Sequence, residues 1–314
     1  MSRWSFALCL SLACSGLQTQ AATWQPSPGH TQLPLWPGTP PDAKPVKGPE
    51  FVGDTHSEAK GLVAGRPWIY VGDVTVPTLT VYAPTAKNTG AAVLVLPGGG
   101  FEVLAMDLEG TEVCDWLNAR GITCVLLKYR VPSLPYDWKC DCRPDDLTVP
   151  TQSLEDVQRA MGLVRLNAKR WNIDPHRFGV IGFSAGGYLV AEISTHYATR
   201  LYTPVDAADR ESCRPDFAIG IYPGHLANDA GTLNPNVPVS KDTPPTFLLQ
   251  AEDDHVDGIQ SPVYYAALMK AGVPAELHVY AHGGHAFGLR RTRQPITAWP
   301  ELVDAWMKSN GILE

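Results

Sequence analysis

Short apolar runs alternate with longer stretches of helical spacing along most of this chain. Residues 79–83 (LTVYA) and 92–96 (AVLVL) read as strands, the second running straight into Pro97-Gly98-Gly99-Gly100. Residues 111–120 place Val113, Trp116 and Leu117 on one helical face, and Gly121 stands where a helix commonly ends on a left-handed residue. Residues 122–127 (ITCVLL) are continuously apolar over a strand's length, as expected of a strand covered on both faces. An amphipathic helix is predicted over 153–171 and a strand over 178–183, then Ser184 and a helix over 187–197. Strands over 217–222, 246–250 and 276–280, with helices over 261–271 and 299–308, complete the pattern. Alternation of this kind predicts an α/β fold: a mostly parallel central sheet with helices on both faces, joined by right-handed crossovers. Ligands of such sheets bind at the carboxyl ends of the strands.

Two segments break the rhythm. Residues 22–78 are rich in Pro, Gly and Trp and read as an irregular lead-in, and residues 131–150, with four prolines, two cysteines and several Asp, read as an inserted surface loop. The first 21 residues look unlike the rest. Arg3 supplies a positive start, residues 4–17 are mostly apolar but short for a bilayer, and Thr19 and Ala21 offer small residues at the −3 and −1 positions of a cleavage site. The expected organisation is a signal peptide over 1–21 and one catalytic domain over 22–314, exported to the periplasm or beyond, with no membrane association after cleavage. An uncleaved anchor or a lipoprotein modified at Cys14 is the alternative; Ser11 stands where a lipoprotein signal would carry an aliphatic residue.

With 314 residues, 44% hydrophobic and 18% charged, the chain has ordinary globular composition. The net charge of −7 and the lack of any Lys/Arg run argue against nucleic acid or an anionic membrane surface as partner. Of seven cysteines, Cys9 and Cys14 lie in the leader. Cys114, Cys124, Cys140, Cys142 and Cys213 remain, an odd set in a compartment that permits disulfides. Cys114 could meet Cys124, and either Cys140 or Cys142 could reach Cys213. The spacings match no zinc pattern, so no structural metal is expected.

The chemistry concentrates at strand ends. Gly182-Phe183-Ser184-Ala185-Gly186 fits G-x-S-x-G, with an apolar run (FGVIGF) leading in and a helical pattern (GGYLVAEIS) leading out. That context predicts a nucleophile elbow, a strained strand-to-helix turn whose flanking glycines avoid collisions. A serine nucleophile needs a base and an orienting carboxylate, in chain order Ser…Asp…His. Residues 246–250 run into Glu252-Asp253-Asp254, and 276–280 into His282-Gly283-Gly284-His285. His285 is the predicted base and His282 its competitor. A metal held by His282 and His285 lacks a third ligand. The glycines after Pro97 let backbone N–H groups approach an oxyanion. Gly99, Gly100 and Ala185 are the candidate donors. A phosphate-cradling loop would need the G-x-x-x-x-G-K-[ST] lysine, which this loop lacks.

Together these motifs resemble one family. AVLVLPGGGFEVLAMDLEGTEVCDWLNARGITCVLLKYRVP, PHRFGVIGFSAGGYLVA, LLQAEDDHV, YAHGGHAFGL and the lead-in LPLWPGTPPDAKP resemble the acetyl-esterase-like branch of the α/β-hydrolases, the acetylxylan-esterase and feruloyl-esterase-like group. The resemblance runs from about Leu33 to the C-terminus. It implies a serine esterase acting on small acyl groups, often acetyl groups of plant polysaccharides such as xylan, without a cofactor. Carried over by position, it implies Ser184 as nucleophile, His285 as base and Asp253 as acid. Asp253 is favoured because it precedes Val256 by three residues, the D-x-x-V spacing of related hydrolases; Asp254 is the alternative. Two features depart from the family: Pro97 replaces a common His before the glycines, and the 131–150 insertion, carrying Tyr136 and Trp138, is unusually long. The rival readings are a serine peptidase of the prolyl-oligopeptidase kind, whose propeller domain would not fit in this length, and a non-catalytic binding module, which would be expected to have lost Ser, Asp or His.

Overall fold

A computed structural model describes residues 23–43, 48–56, 61–131 and 151–313. The expected leader and nearly all of the expected 131–150 insertion, with Cys140 and Cys142, lie outside these residues.

In chain order the strands are β1 (Gln32–Pro34), β2 (Phe51–Asp54), β3 (Ile69–Gly72), β4 (Thr78–Tyr82), β5 (Ala92–Leu96), β6 (Val103–Ala105), β7 (Thr123–Lys128), β8 (Phe178–Phe183), β9 (Ala218–Ile221), β10 (Thr246–Ala251) and β11 (Ala275–Tyr280). The helices are α1 (Glu112–Asn118), α2 (Thr151–Leu166), α3 (Ala185–Thr195), α4 (Gln260–Ala271) and α5 (Trp299–Ser309). A wide π-helical turn, Asp107–Thr111, leads into α1.

Eight strands form one sheet in the order β1-β4-β7-β5-β8-β9-β10-β11, with every neighbouring pair from β7 to β11 parallel and β4 antiparallel to both of its neighbours. The predicted α/β class and mostly parallel sheet are therefore present. Every residue of β5, β7, β8, β9 and β10 is buried, which explains why these strands read as continuous rather than alternating apolar runs. Alternation with helices carries the carboxyl ends of the parallel strands β5 and β7 to β11 to the same edge of the sheet, where residues 97–100, Ser184 and Asp254 emerge.

The lead-in is more regular than the Pro- and Gly-rich sequence suggested. β1 extends the main sheet through Gln32↔Thr80 and Pro34↔Thr78, and β3 pairs with both β2 and β6 in a separate antiparallel sheet. These strands are three or four residues long, too short to show a periodicity, and their partners are distant in sequence.

Helix α2 also departs from expectation. Its polar residues Glu155, Asp156, Gln158 and Arg159 are buried beside Val157, Ala160 and Met161, so it has no solvated stripe comparable to that of an amphipathic helix. Neighbours cover it on all sides, and the polar groups find specific partners. Arg130 meets both Asp156 and Glu155 and donates to the Gln152 carbonyl at 3.0 Å, while the Trp36 indole N–H donates to Asp156 at 2.7 Å. On the same helix Arg159 donates to Asp206 and to the Leu35 carbonyl at 3.0 Å. The lead-in is thus fastened to the domain by charges that water cannot reach.

Cys114 of α1 is disulfide-bonded to Cys124 of β7, with a Cα–Cα separation of 5.1 Å. This is one of the pairings the sequence allowed. Cys213 is buried, with its thiol 3.1 Å from the Tyr197 carbonyl.

Removing Arg130 would strand two buried carboxyl groups. Arg130→Ala is expected to lower the unfolding free energy by about 3–5 kcal/mol. Urea denaturation at pH 7 measures it, and a loss below about 1 kcal/mol would mean that the cluster relaxes or hydrates freely.

Candidate active site

The turn between β8 and α3 carries Ser184 at φ 52° and ψ −117°, a conformation that side-chain-bearing residues rarely adopt. Flanking geometry enforces it. A Cβ on Gly182 would stand 2.1 Å from the Gly186 carbonyl oxygen, and one on Gly186 would stand 2.1 Å from that of Leu96 at the end of β5. Only glycine permits this approach, which presses the start of α3 against the strand that supplies the glycine loop. The Ser184 N–H donates to the Ile221 carbonyl of β9 at 3.1 Å, closing the turn from the other side.

His285 arrives on the loop after β11. Its Nε2 lies 2.7 Å from Ser184 Oγ and its Nδ1 lies 2.7 Å from Asp254 Oδ2. The imidazole is held by packing as well, tilted against the Tyr222 ring with centroids 4.9 Å apart and edge-on to His255 at 5.2 Å. A serine hydroxyl, an imidazole and a carboxylate in this linear order can move a proton from oxygen to nitrogen while the carboxylate fixes the tautomer.

Asp253, the carboxylate favoured from D-x-x-V spacing, does not reach His285. It is exposed and accepts hydrogen bonds from the N–H groups of Gly283 at 2.9 Å and Gly284 at 2.8 Å, with His282 Nδ1 3.3 Å away. Those donors, Gly284 foremost, hold its carboxyl below the usual carboxylate range. Asp254 is buried and is also bonded by Gln250 Nε2 at 2.9 Å and the Val256 N–H at 2.8 Å. The physical reason is the end of β10: neighbouring side chains leave the chain in different directions, and only Asp254 turns inward toward the histidine loop. Asp253 ties that loop down from outside. The competing His282 stays at the surface with Asp253 and away from the serine.

A cleft of about 320 Å³ opens at Ser184, lined by Gly100, Ala185, His225, His255 and Val256. Gly100 and Ala185, two of the three predicted oxyanion donors, therefore border the space beside Ser184. Gly99, the third, sits one residue back at φ 128°, so close to Val103 that a Cβ would stand 2.1 Å from its carbonyl oxygen. Burial pushes the His225 imidazole down to about 3, with the neighbouring His285 adding to the effect, so it is neutral near pH 7. The local backbone is unusual in several places: Phe101, Ser184, Tyr222, His225 and Ala286 all have positive φ. Such strain is commonly concentrated where geometry serves chemistry.

Several residues around the site carry no sequence signal. Glu109, in the π-helical turn, is buried beneath the glycine loop and accepts from the Gly98 N–H at 2.8 Å and from Tyr222 Oη at 2.8 Å. Tyr129 Oη donates to the Pro97 carbonyl at 2.5 Å. Neither falls in a recognisable motif, because each meets the loop only through tertiary packing. Among the described residues no cluster of His, Cys, Asp or Glu could hold a metal ion.

The BD-FAE family model matches residues 79–223, from β4 through the serine turn. An acetylxylan esterase of Xylanibacter ruminicola is 33% identical over 216 residues, 64% of this chain and 42% of that protein. An endo-1,4-beta-xylanase B of Butyrivibrio fibrisolvens is 28% identical over 232 residues, 67% of this chain and 34% of that protein. The chain thus spans less than half the length of these two curated relatives. Among solved structures, an acetyl ester-xyloside bifunctional hydrolase from Caldicellulosiruptor lactoaceticus superposes with a TM-score of 0.68 at 31% identity, covering 90% of this chain and 97% of that one. With near-complete coverage of that structure, the same parallel sheet and the serine turn in the matched region, the chain belongs to the acetyl-esterase-like branch of the α/β-hydrolases, the acetylxylan-esterase and feruloyl-esterase-like group.

Proposed function

We propose that this protein is an exported serine carboxylesterase that removes short acyl groups, acetyl first among them, from a carbohydrate alcohol such as xylan. The observation that carries the reading is the chain Ser184–His285–Asp254, with both separations at 2.7 Å, opening on a cleft bordered by Gly100 and Ala185. The activities for which its relatives are named, acetylxylan esterase and acetyl ester-xyloside bifunctional hydrolase, support the acetyl and carbohydrate part. Export rests on the N-terminal sequence. Among the described residues, no helix is long and apolar enough to cross a membrane.

In this reading, Ser184 attacks the ester carbonyl while His285 Nε2 takes its proton. Asp254 holds the Nδ1 proton and stabilises the imidazolium. The N–H groups of Gly99, Gly100 and Ala185 receive the developing oxyanion, each donor contributing about 3 kcal/mol in comparable sites. The imidazolium then protonates the departing alcohol, and water repeats the sequence to release the acid. No cofactor enters. Among the described residues the cleft is small, about 320 Å³, and a long acyl chain would gain only where methylenes are buried, at about 0.8 kcal/mol each.

Ser184→Ala is expected to remove hydrolysis of 4-nitrophenyl acetate and labelling by a fluorophosphonate probe, with the circular dichroism unchanged. Activity within about tenfold of wild type would refute the assignment. Asp254→Asn is expected to lower kcat about 10⁴-fold, as loss of the orienting carboxylate does in the best-studied triad. Asp253→Asn should fall within about tenfold of wild type, and a reversed order would return the acid's role to Asp253. Across nitrophenyl acetate, butyrate, octanoate and palmitate, kcat/KM should decline with chain length, and acetate should be released from acetylated xylan. Efficiency rising toward octanoate would overturn the short-chain preference.

A further inference from the structure

We propose that Glu109 is a positioning residue for acyl transfer, holding the oxyanion loop and the histidine loop in one fixed relation through its two carboxylate oxygens. The proposal rests on the serine-esterase reading above and deepens it. Glu109 Oε2 accepts the N–H of Gly98, the residue between Pro97 and the glycines beside the cleft. Glu109 Oε1 accepts the Tyr222 hydroxyl proton. Tyr222 Oη in turn accepts the Gly288 N–H at 3.0 Å, three residues beyond His285, and the Tyr222 ring lies against the imidazole. The Gly288 carbonyl is also held, by the Trp299 indole N–H at 2.8 Å. One buried carboxyl group therefore joins the loop that would bind the oxyanion to the loop that carries the base.

A merely space-filling residue would not be built this way. Glu109 is 2% exposed and Tyr222 fully buried, so neither can exchange these bonds for bonds to water. Gly98 lies so near that a Cβ there would stand 2.6 Å from Glu109 Oε2 and 2.9 Å from Ser184 Cβ, which places the carboxyl group directly under the nucleophile's turn. Pro97 is held at the same time by Tyr129, so the peptide ahead of the glycines is gripped at its carbonyl and the next residue at its N–H. Burial raises the Glu109 pKa, while the Tyr222 and Gly98 hydrogen bonds and a charge on His285 oppose the rise. Two donors converge on two acceptor oxygens, an arrangement that the carboxylate satisfies and a carboxamide cannot. In an acyl-transfer cycle, a loop displaced by a fraction of an ångström loses transition-state stabilisation more than ground-state binding.

Glu109→Gln keeps the size but presents an N–H₂ to one of the two donors. Tyr222→Phe keeps the ring against His285 and removes only the tie between Glu109 and Gly288. With nitrophenyl acetate and turnover counted per folded molecule, Glu109→Gln is expected to lose about 100-fold in kcat, and Tyr222→Phe about tenfold. KM should stay within about threefold of wild type for both, and inactivation by a fluorophosphonate should slow in parallel with kcat. A kcat within about threefold of wild type in both variants, or a loss expressed in KM with kcat unchanged, would overturn the proposal. If Glu109→Gln fails to fold, the Tyr222→Phe result decides alone. A wild-type protein that neither turns over the ester nor takes the probe would instead sink the esterase reading itself, and this proposal with it.

Discussion

The close approach of α3 to the end of β5 is the constraint on which the site depends. Gly186 rests against the Leu96 carbonyl at a distance no side chain could share, and Gly182 lies equally close to Gly186. That contact turns the chain sharply enough to hold Ser184 in its strained conformation, and it fixes the spacing between the serine and the glycine loop that follows β5. A methyl group at either position would push strand and helix apart. The strain at Ser184 is sustained because both neighbouring strands are fully buried and paired, β8 between β5 and β9.

Around this contact the protein uses buried polar groups to locate loops, where a plain apolar core would leave them free to slide. Asp254 receives His285, Gln250 and the Val256 N–H, so its orientation is determined before any substrate arrives. Arg290, just past the histidine loop, is buried and donates to Glu112 and to the carbonyls of Arg66 and Pro67, tying that loop to α1 and to the lead-in. Arg130 does the same for the lead-in against α2. Each cluster is costly if half-satisfied and specific when complete, so these residues define which loop lies where more than they add to stability.

The exposed counterpart is instructive. Asp253 and Asp254 are adjacent and chemically identical, yet one caps the backbone of Gly283 and Gly284 in water while the other is buried against the imidazole. Both contribute to the histidine loop, one from outside and one from within. The outer carboxylate is screened and replaceable, whereas the inner one has no solvent to substitute for it.

The sequence by itself determined the fold class, the strands β4, β5 and β7 to β11, and the strand-to-helix turn at Ser184, and it placed His285 just after the last strand. The physical reason is that these features are local: strands buried on both faces are continuous apolar runs, and a strained turn needs small residues at set offsets from Ser184. It also narrowed the expected carboxylate partner of His285 to two neighbours, Asp253 and Asp254. The tertiary structure alone decided between them, because a one-residue choice at a strand end depends on which side chain faces the approaching loop. It alone revealed the short strands of the lead-in, which are paired with partners far along the chain, and the burial of polar α2, whose charged residues look solvated until Arg130, Trp36 and Asp206 are brought beside them. Glu109 and Tyr222 belong to this second class for the same reason. Their roles arise from contacts across 113 positions of sequence, and nothing in the residues beside them announces the partner.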